Sequence, residues 1–235
     1  MKTYLKSIIL TYALCLALAA CDSPTKRMEQ AQALYEEGVQ LREQRRSEEA
    51  AEKFLQGLAI VQRSKKTTEA VQLEGQLSDN LGAMYLKHEL FEDAFKQHQH
   101  ALKCFKQTAD SSGIMNAYRN SGRAMRAQEQ FTQAKHYYDS AFRIATFVKD
   151  TAMLADLHLE MGRDYYMETG NFAKGIESVN RALECGLNDN DTDIAHMTLG
   201  ILHYYTHEYD KAKGFLKEAL RSERAGLKMS VYQTL

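Results

Sequence analysis

Apolar residues recur at helical spacing along nearly the whole chain, and the runs they form break at short polar joins. Runs of this kind predict amphipathic helices, each burying one stripe against a neighbour. The pattern places helix pairs at 28–44/47–64, 67–87/91–108, 112–128/131–148, 151–168/172–186 and 192–206/209–225. Asp110-Ser111-Ser112, Asp150-Thr151 and Asp191-Thr192-Asp193 precede apolar runs, as helix N-caps do. The only proline is Pro24, and glycine is too sparse to supply the frequent turns of a sandwich or barrel.

The runs repeat. Gly38, Gly82, Gly122, Gly162 and Gly200 each sit inside a helical pattern. Twelve residues later comes a small residue, Ala50, Ala94, Ala134 and Ala212, with Gly175 one residue late. Seven further on stand Gly57, Ala101, Ala141, Ala182 and Ala219. An aromatic follows four of the five glycines by nine residues or so: Phe91, Phe131, Phe172 (again one late) and Tyr209. Small residues at fixed places let two backbones approach, and large ones such as Tyr85, Met125 and Tyr165, three beyond their glycines, fill the space between. One pair cannot bury its stripe alone, so stacking is required.

This register, with Leu81-Gly82 and Leu199-Gly200 and with Phe54 and Tyr138 in the second helices, resembles the tetratricopeptide repeat. His98, Val179 and Leu216 depart from the aromatic at that second-helix position. The resemblance spans about residues 31 to 227. It implies an all-α fold, a right-handed α-solenoid of about five helix–turn–helix repeats over residues 28–227. It also implies that first helices line a groove, through residues two before and one after each glycine. These are Glu36 and Val39, Asn80 and Ala83, Asn120 and Arg123, Glu160 and Arg163, and Thr198 and Ile201. Asn80 and Asn120 resemble the family's peptide-holding asparagine; an amide both donates to and accepts from a peptide backbone. Arg119 and Arg123 share a helix face with Asn116 and suit a carboxylate. The family's carboxylate clamp is not reproduced, since Tyr35 and Val39 stand where lysine and asparagine belong. The expected partner-binding residues are therefore Asn80, Asn116, Arg119, Asn120, Arg123, Glu160 and Arg163.

The N-terminus follows a different pattern. Lys2 and Lys6 precede an uncharged, mostly apolar stretch from Ile8 to Ala20, too short to span a bilayer, and then Leu18-Ala19-Ala20-Cys21. The order resembles the lipobox of bacterial lipoproteins, which implies cleavage after residue 20 and acylation of Cys21. Residues 21–27 then read as a polar tether, and the location as the bacterial cell envelope, with the membrane engaged through lipid on Cys21. Residues 228–235 read as the start of an incomplete sixth repeat, of a longer gene product or of a face completed by oligomerisation.

Composition changes little. Charged residues make up 26% of the 235 and the formal net charge is -1, which gives no basic field for nucleic acid. Cys104 and Cys185 fall at equivalent positions two repeats apart and read as buried apolar fillers. Asp189, Asp191 and Asp193 lack the glycine and glutamate of a calcium loop, Ile194 and Gly200 standing there. His203 and His207 lack the glutamate of a zinc-protease helix, and His98 and His100 point to different faces. No metal, no cofactor and no enzymatic activity is expected. The chain reads as a lipid-anchored protein that binds a protein or peptide partner, or as the sensory part of a longer bacterial regulator.

Overall fold

The computed structural model describes residues 23–165 and 169–220. The signal segment, Cys21 and residues 221–235 lie outside the described residues, as does the side chain of Tyr165. The described chain is all-α, built of helix hairpins of the α-solenoid type, and no strand occurs among the described residues. It divides between Ala124 and Met125 into two compact units.

In the first unit α1 (Pro24–Glu43) pairs with α2 (Ser47–Gln62), α3 (Thr68–Lys87) with α4 (Phe91–Thr108), and α5 (Ser111–Ala127) follows, its last turn falling in the second unit. Residues 24–27, expected in the tether, form the first turn of α1. Pro24 opens that helix where its missing N–H costs nothing, and the Ser23 hydroxyl accepts from the Lys26 amide. Thr67 and Asp110 cap α3 and α5 in the same manner. The core runs through Ala31, Phe54, Val61, Leu77 and Leu81, with Leu102, Phe105 and Ala117 between α4 and α5.

The second unit holds α6 (Phe131–Val148), α7 (Thr151–Glu160), α8 (Phe172–Cys185), α9 (Asp189–Tyr205) and α10 (Tyr209–Leu220). Asp150 caps α7 and Asn171 caps α8. Asn188 caps α9, which therefore begins three residues ahead of the expected 192. Leu159, Val179, Leu199 and Leu202 form the core of α7 to α9.

The glycine register has a direct steric cause. A Cβ at Gly38 would lie 2.5 Å from the Phe54 ring, one at Gly82 2.7 Å from His98, and one at Gly200 2.6 Å from Leu216. At Gly162 it would meet Val179 Cγ2 at 2.4 Å. Phe54, His98, Val179 and Leu216 are the residues of the variable second-helix position, so each fills the notch its own repeat leaves. The late register of the fourth repeat also has a cause. Met161–Tyr165 is a π-helical turn continuing α7, which absorbs one extra residue. The left-handed turn residue then falls at Gly170, eight past Gly162, whereas Arg45, Glu89, Glu129 and His207 take positive φ seven past their glycines.

Candidate partner-binding face

Within the first unit the first helices α1, α3 and α5 are tied side by side by polar side chains. Arg42 on α1 donates to the Asn80 carboxamide oxygen on α3, whose own NH2 donates to the Gln76 carbonyl at 2.9 Å. Asn120 on α5 donates to both Asp79 carboxylate oxygens at 3.2 Å. Asp79 Oδ1 also lies 2.7 Å from Nδ1 of His98, whose ring is fully buried over Gly82. The departure from an aromatic at position 98 thus keeps a ring in the core and adds a polar link to α3.

These contacts correct two of the expected groove residues. Asn120 is only 8% exposed and its amide is committed to Asp79, so it joins two first helices and presents no open amide. Thr198 is buried and donates to the Ile194 carbonyl within its own helix. Asn80 is half-buried and already engaged on both sides. Asn116, Arg119 and Arg123 remain half-exposed along α5, with the Asn116 NH2 on the Ser112 carbonyl at 3.2 Å. Glu36 is exposed and pairs with Gln32 at 2.9 Å. It borders a shallow cleft of about 410 Å³ between α1 and α3, lined also by Met28, Glu29, Glu69 and Leu73. The first-helix surface is therefore acidic at α1 and basic at α5.

In the second unit Glu160 and Arg163 approach to 3.6 Å, so they meet each other across one turn. A cleft of about 290 Å³ lies between α6, α7 and α8, lined by Asp139, Phe142, His158, Lys174, Glu177 and Arg181, among others. His158 stands edge-on to Phe142 at 5.0 Å, and burial, with Arg181 nearby, pushes its imidazole below its ordinary value. Tyr204, Tyr205 and Tyr209 form an exposed aromatic cluster, with Phe172 stacked on Tyr205 at 5.0 Å. Only the glycine-plus-nine position marked Tyr209 and Phe172 in the sequence; the adjacency of Tyr204 and Tyr205 to them depends on the inter-helix turn.

The other candidate chemistry sorts itself out by geometry. Asp189 and Asp191 lie in the first turn of α9, where Asn188 caps the Asp191 amide at 3.0 Å. His203 is stacked on Phe215 and bonded to Glu208 at 2.6 Å, while His207 meets the Tyr209 hydroxyl at 2.9 Å. These two histidines have separate partners. Cys104 is buried and free, as expected, but Cys185 is half-buried, because α8 ends there and Gly186 turns the chain away.

One cluster has no counterpart in the sequence reading. Glu74 on α3 is buried at the seam with α4, its Oε1 3.0 Å from His100 Nε2 and its Oε2 in an ion pair with Lys66. Burial pushes this carboxyl up, but Lys66 and His100 outweigh that and hold it below its ordinary value. Cys104 Sγ lies 3.8 Å from the same imidazole nitrogen. His98 and His100, expected on different faces of their helix, are both engaged with α3.

Residues 73–146 match the family model described as tetratricopeptide repeat. That segment carries tetratricopeptide-type repeats. None of the curated proteins matches it significantly. Among solved structures it is similar to BtubC (BKLC) from P. vanneervenii, with TM-score 0.70 and 15% identity over 98% of this chain and 92% of that one. It is also similar to the apo form of the quorum sensor NprR from B. thuringiensis, with TM-score 0.74 and 16% identity over 100% of this chain and 65% of NprR. NprR in complex with its cognate peptide NprX aligns with TM-score 0.67 and 17% identity, over 89% of this chain and 59% of that one. At these identities the similarity carries the helical-repeat fold. No helix among the described residues is long and apolar enough to cross a membrane.

Proposed function

We propose that this protein is a lipid-anchored repeat scaffold of the bacterial cell envelope that binds a protein or peptide partner. The observation that carries the binding reading is the row of first helices α1, α3 and α5, whose outer surface offers Asn116, Arg119 and Arg123 beside an acidic cleft at α1. A segment laid across that row would meet guanidinium groups suited to carboxylates at one end and acidic groups suited to basic side chains at the other. The peptide complex of NprR, a protein with the same helical-repeat fold, supports a peptide as the class of partner. The anchoring reading rests on the ordered segment ending in Leu18-Ala19-Ala20-Cys21.

Charge reversal tests the face. Arg119→Glu with Arg123→Glu should reduce co-purification of the partner from envelope extracts at unchanged helicity; equal recovery would move the surface elsewhere. Cys21→Ser should release the protein from membranes or stall its processing. Unchanged mass and unchanged membrane association would rule out the lipid.

A second reading, the interaction part of a longer regulator, is favoured by the alignment of this whole chain with 65% of the quorum sensor NprR. Sequencing the complete reading frame distinguishes it.

A further inference from the structure

We propose that Glu74, His100 and Cys104 form a binding site for a divalent transition metal of the zinc class. The three side chains come from two packed helices, α3 and α4, and their ligand atoms all lie within 4.8 Å of one another. His100 and Cys104 are four apart on one face of α4, the spacing that brings two ligands together on a helix. Tetrahedral zinc with its usual bond lengths needs ligand separations of about 3.4–3.6 Å. The observed Sγ to Nε2 distance of 3.8 Å and Nε2 to Oε1 distance of 3.0 Å are each within a few tenths of an ångström of that.

The donor set selects the metal. Thiolate, imidazole and carboxylate together suit borderline ions such as zinc and cobalt, while calcium and magnesium prefer oxygen alone. Lys66 occupies Glu74 Oε2, which leaves Oε1, the oxygen facing His100, to the metal. His100 is partly open to solvent, so a water can complete the fourth position.

Binding releases protons. A metal ligates cysteine as the thiolate, so binding displaces the Cys104 proton. His100 would ligate through Nε2 in the tautomer that carries its proton on Nδ1.

The test is a titration of the reduced full chain with Co²⁺, read by the near-ultraviolet thiolate-to-cobalt charge-transfer band and the visible bands of a tetrahedral ion. One equivalent should bind and be displaced by Zn²⁺. Cys104→Ser should abolish the charge-transfer band. His100→Gln should weaken binding by more than about tenfold, the scale on which loss of a mere supporting partner already acts. Cys185→Ser should change nothing. His100→Gln sits at a half-exposed position and carries the test if Cys104→Ser fails to fold. Absence of a charge-transfer band in the unaltered chain overturns the site. So does a band that persists in both variants, or one that is lost in Cys185→Ser.

Discussion

At the scale of single residues, the repeat is a set of paired choices between a glycine and the side chain that covers it. Gly162 is tightly constrained, because an added Cβ would meet Val179 Cγ2 at 2.4 Å and the Gly175 carbonyl oxygen at 3.0 Å. Alanine is the better helix former by about 1 kcal/mol, but forcing a methyl into a packed seam costs about 1–3 kcal/mol. Gly162→Ala should therefore destabilise the protein in urea unfolding. Gly214→Ala, in α10 with nothing within 4 Å of the new methyl, should stabilise it by about 1 kcal/mol. A gain in stability at both positions would show that the register is not steric.

His158 adds a pH dependence. Its imidazole is held below its ordinary value of about 6.5 by burial first and Arg181 second, so the unfolded chain binds a proton more readily than the native one. Its contribution to stability is present above about pH 6.5 and is lost as the pH falls through the lowered folded value. His158→Gln should flatten the fall in unfolding free energy on the acid side of neutrality; an unchanged slope assigns that fall to other groups.

Residue roles were unevenly legible. The glycines, the covering residues and Cys104 as a buried thiol follow from spacing alone. Asn120 did not, because its commitment to Asp79 depends on how closely α3 and α5 approach. The group Glu74, His100 and Cys104 did not either: the carboxylate lies 26 residues before the imidazole in sequence and joins it only when α3 packs on α4.

At the scale of elements, helix interiors were well marked by apolar periodicity and their ends less so. The α1 start came early because Ser23 and Pro24 form a capping pair that polarity alone disguises as tether. The one-residue lag of Phe172 and Gly175 was visible in the sequence, but not that a π-helical turn absorbs it, since a single inserted residue can equally lengthen a loop.

Helix ends also hold improvable positions. Ala109 and Lys149 close α4 and α6 with φ of 55° and 58°, directly before the capping aspartates of the next helices. Side chains with a Cβ pay about 1–2 kcal/mol in that conformation, and glycine does not. Ala109→Gly and Lys149→Gly should each raise stability, by about 1 kcal/mol or somewhat less after glycine's greater unfolded-state entropy. Thermal unfolding checks it, and a lowered midpoint in both would contradict the capping account.

At the scale of the whole molecule, the repeat architecture was the most legible feature, because five registers reinforce one another where one would be weak. The partner is the least legible. An array of this kind presents a surface, and recognition by a surface depends on which polar groups it exposes. Asn116, Arg119 and Arg123 are half-exposed on α5, while Asn80 and Asn120 are spent on holding α1, α3 and α5 together.

The most direct measurement is site-specific photo-crosslinking in living cells. A photoreactive residue replaces Asn116 in the full-length protein, and the same residue at Lys213, on exposed α10, serves as comparison. The account predicts a discrete crosslinked partner from position 116, recovered in the membrane fraction and lost when Arg119 and Arg123 are both reversed to glutamate. Crosslinks from position 213 alone, or an adduct at position 116 that is indifferent to the charge reversal, would contradict it.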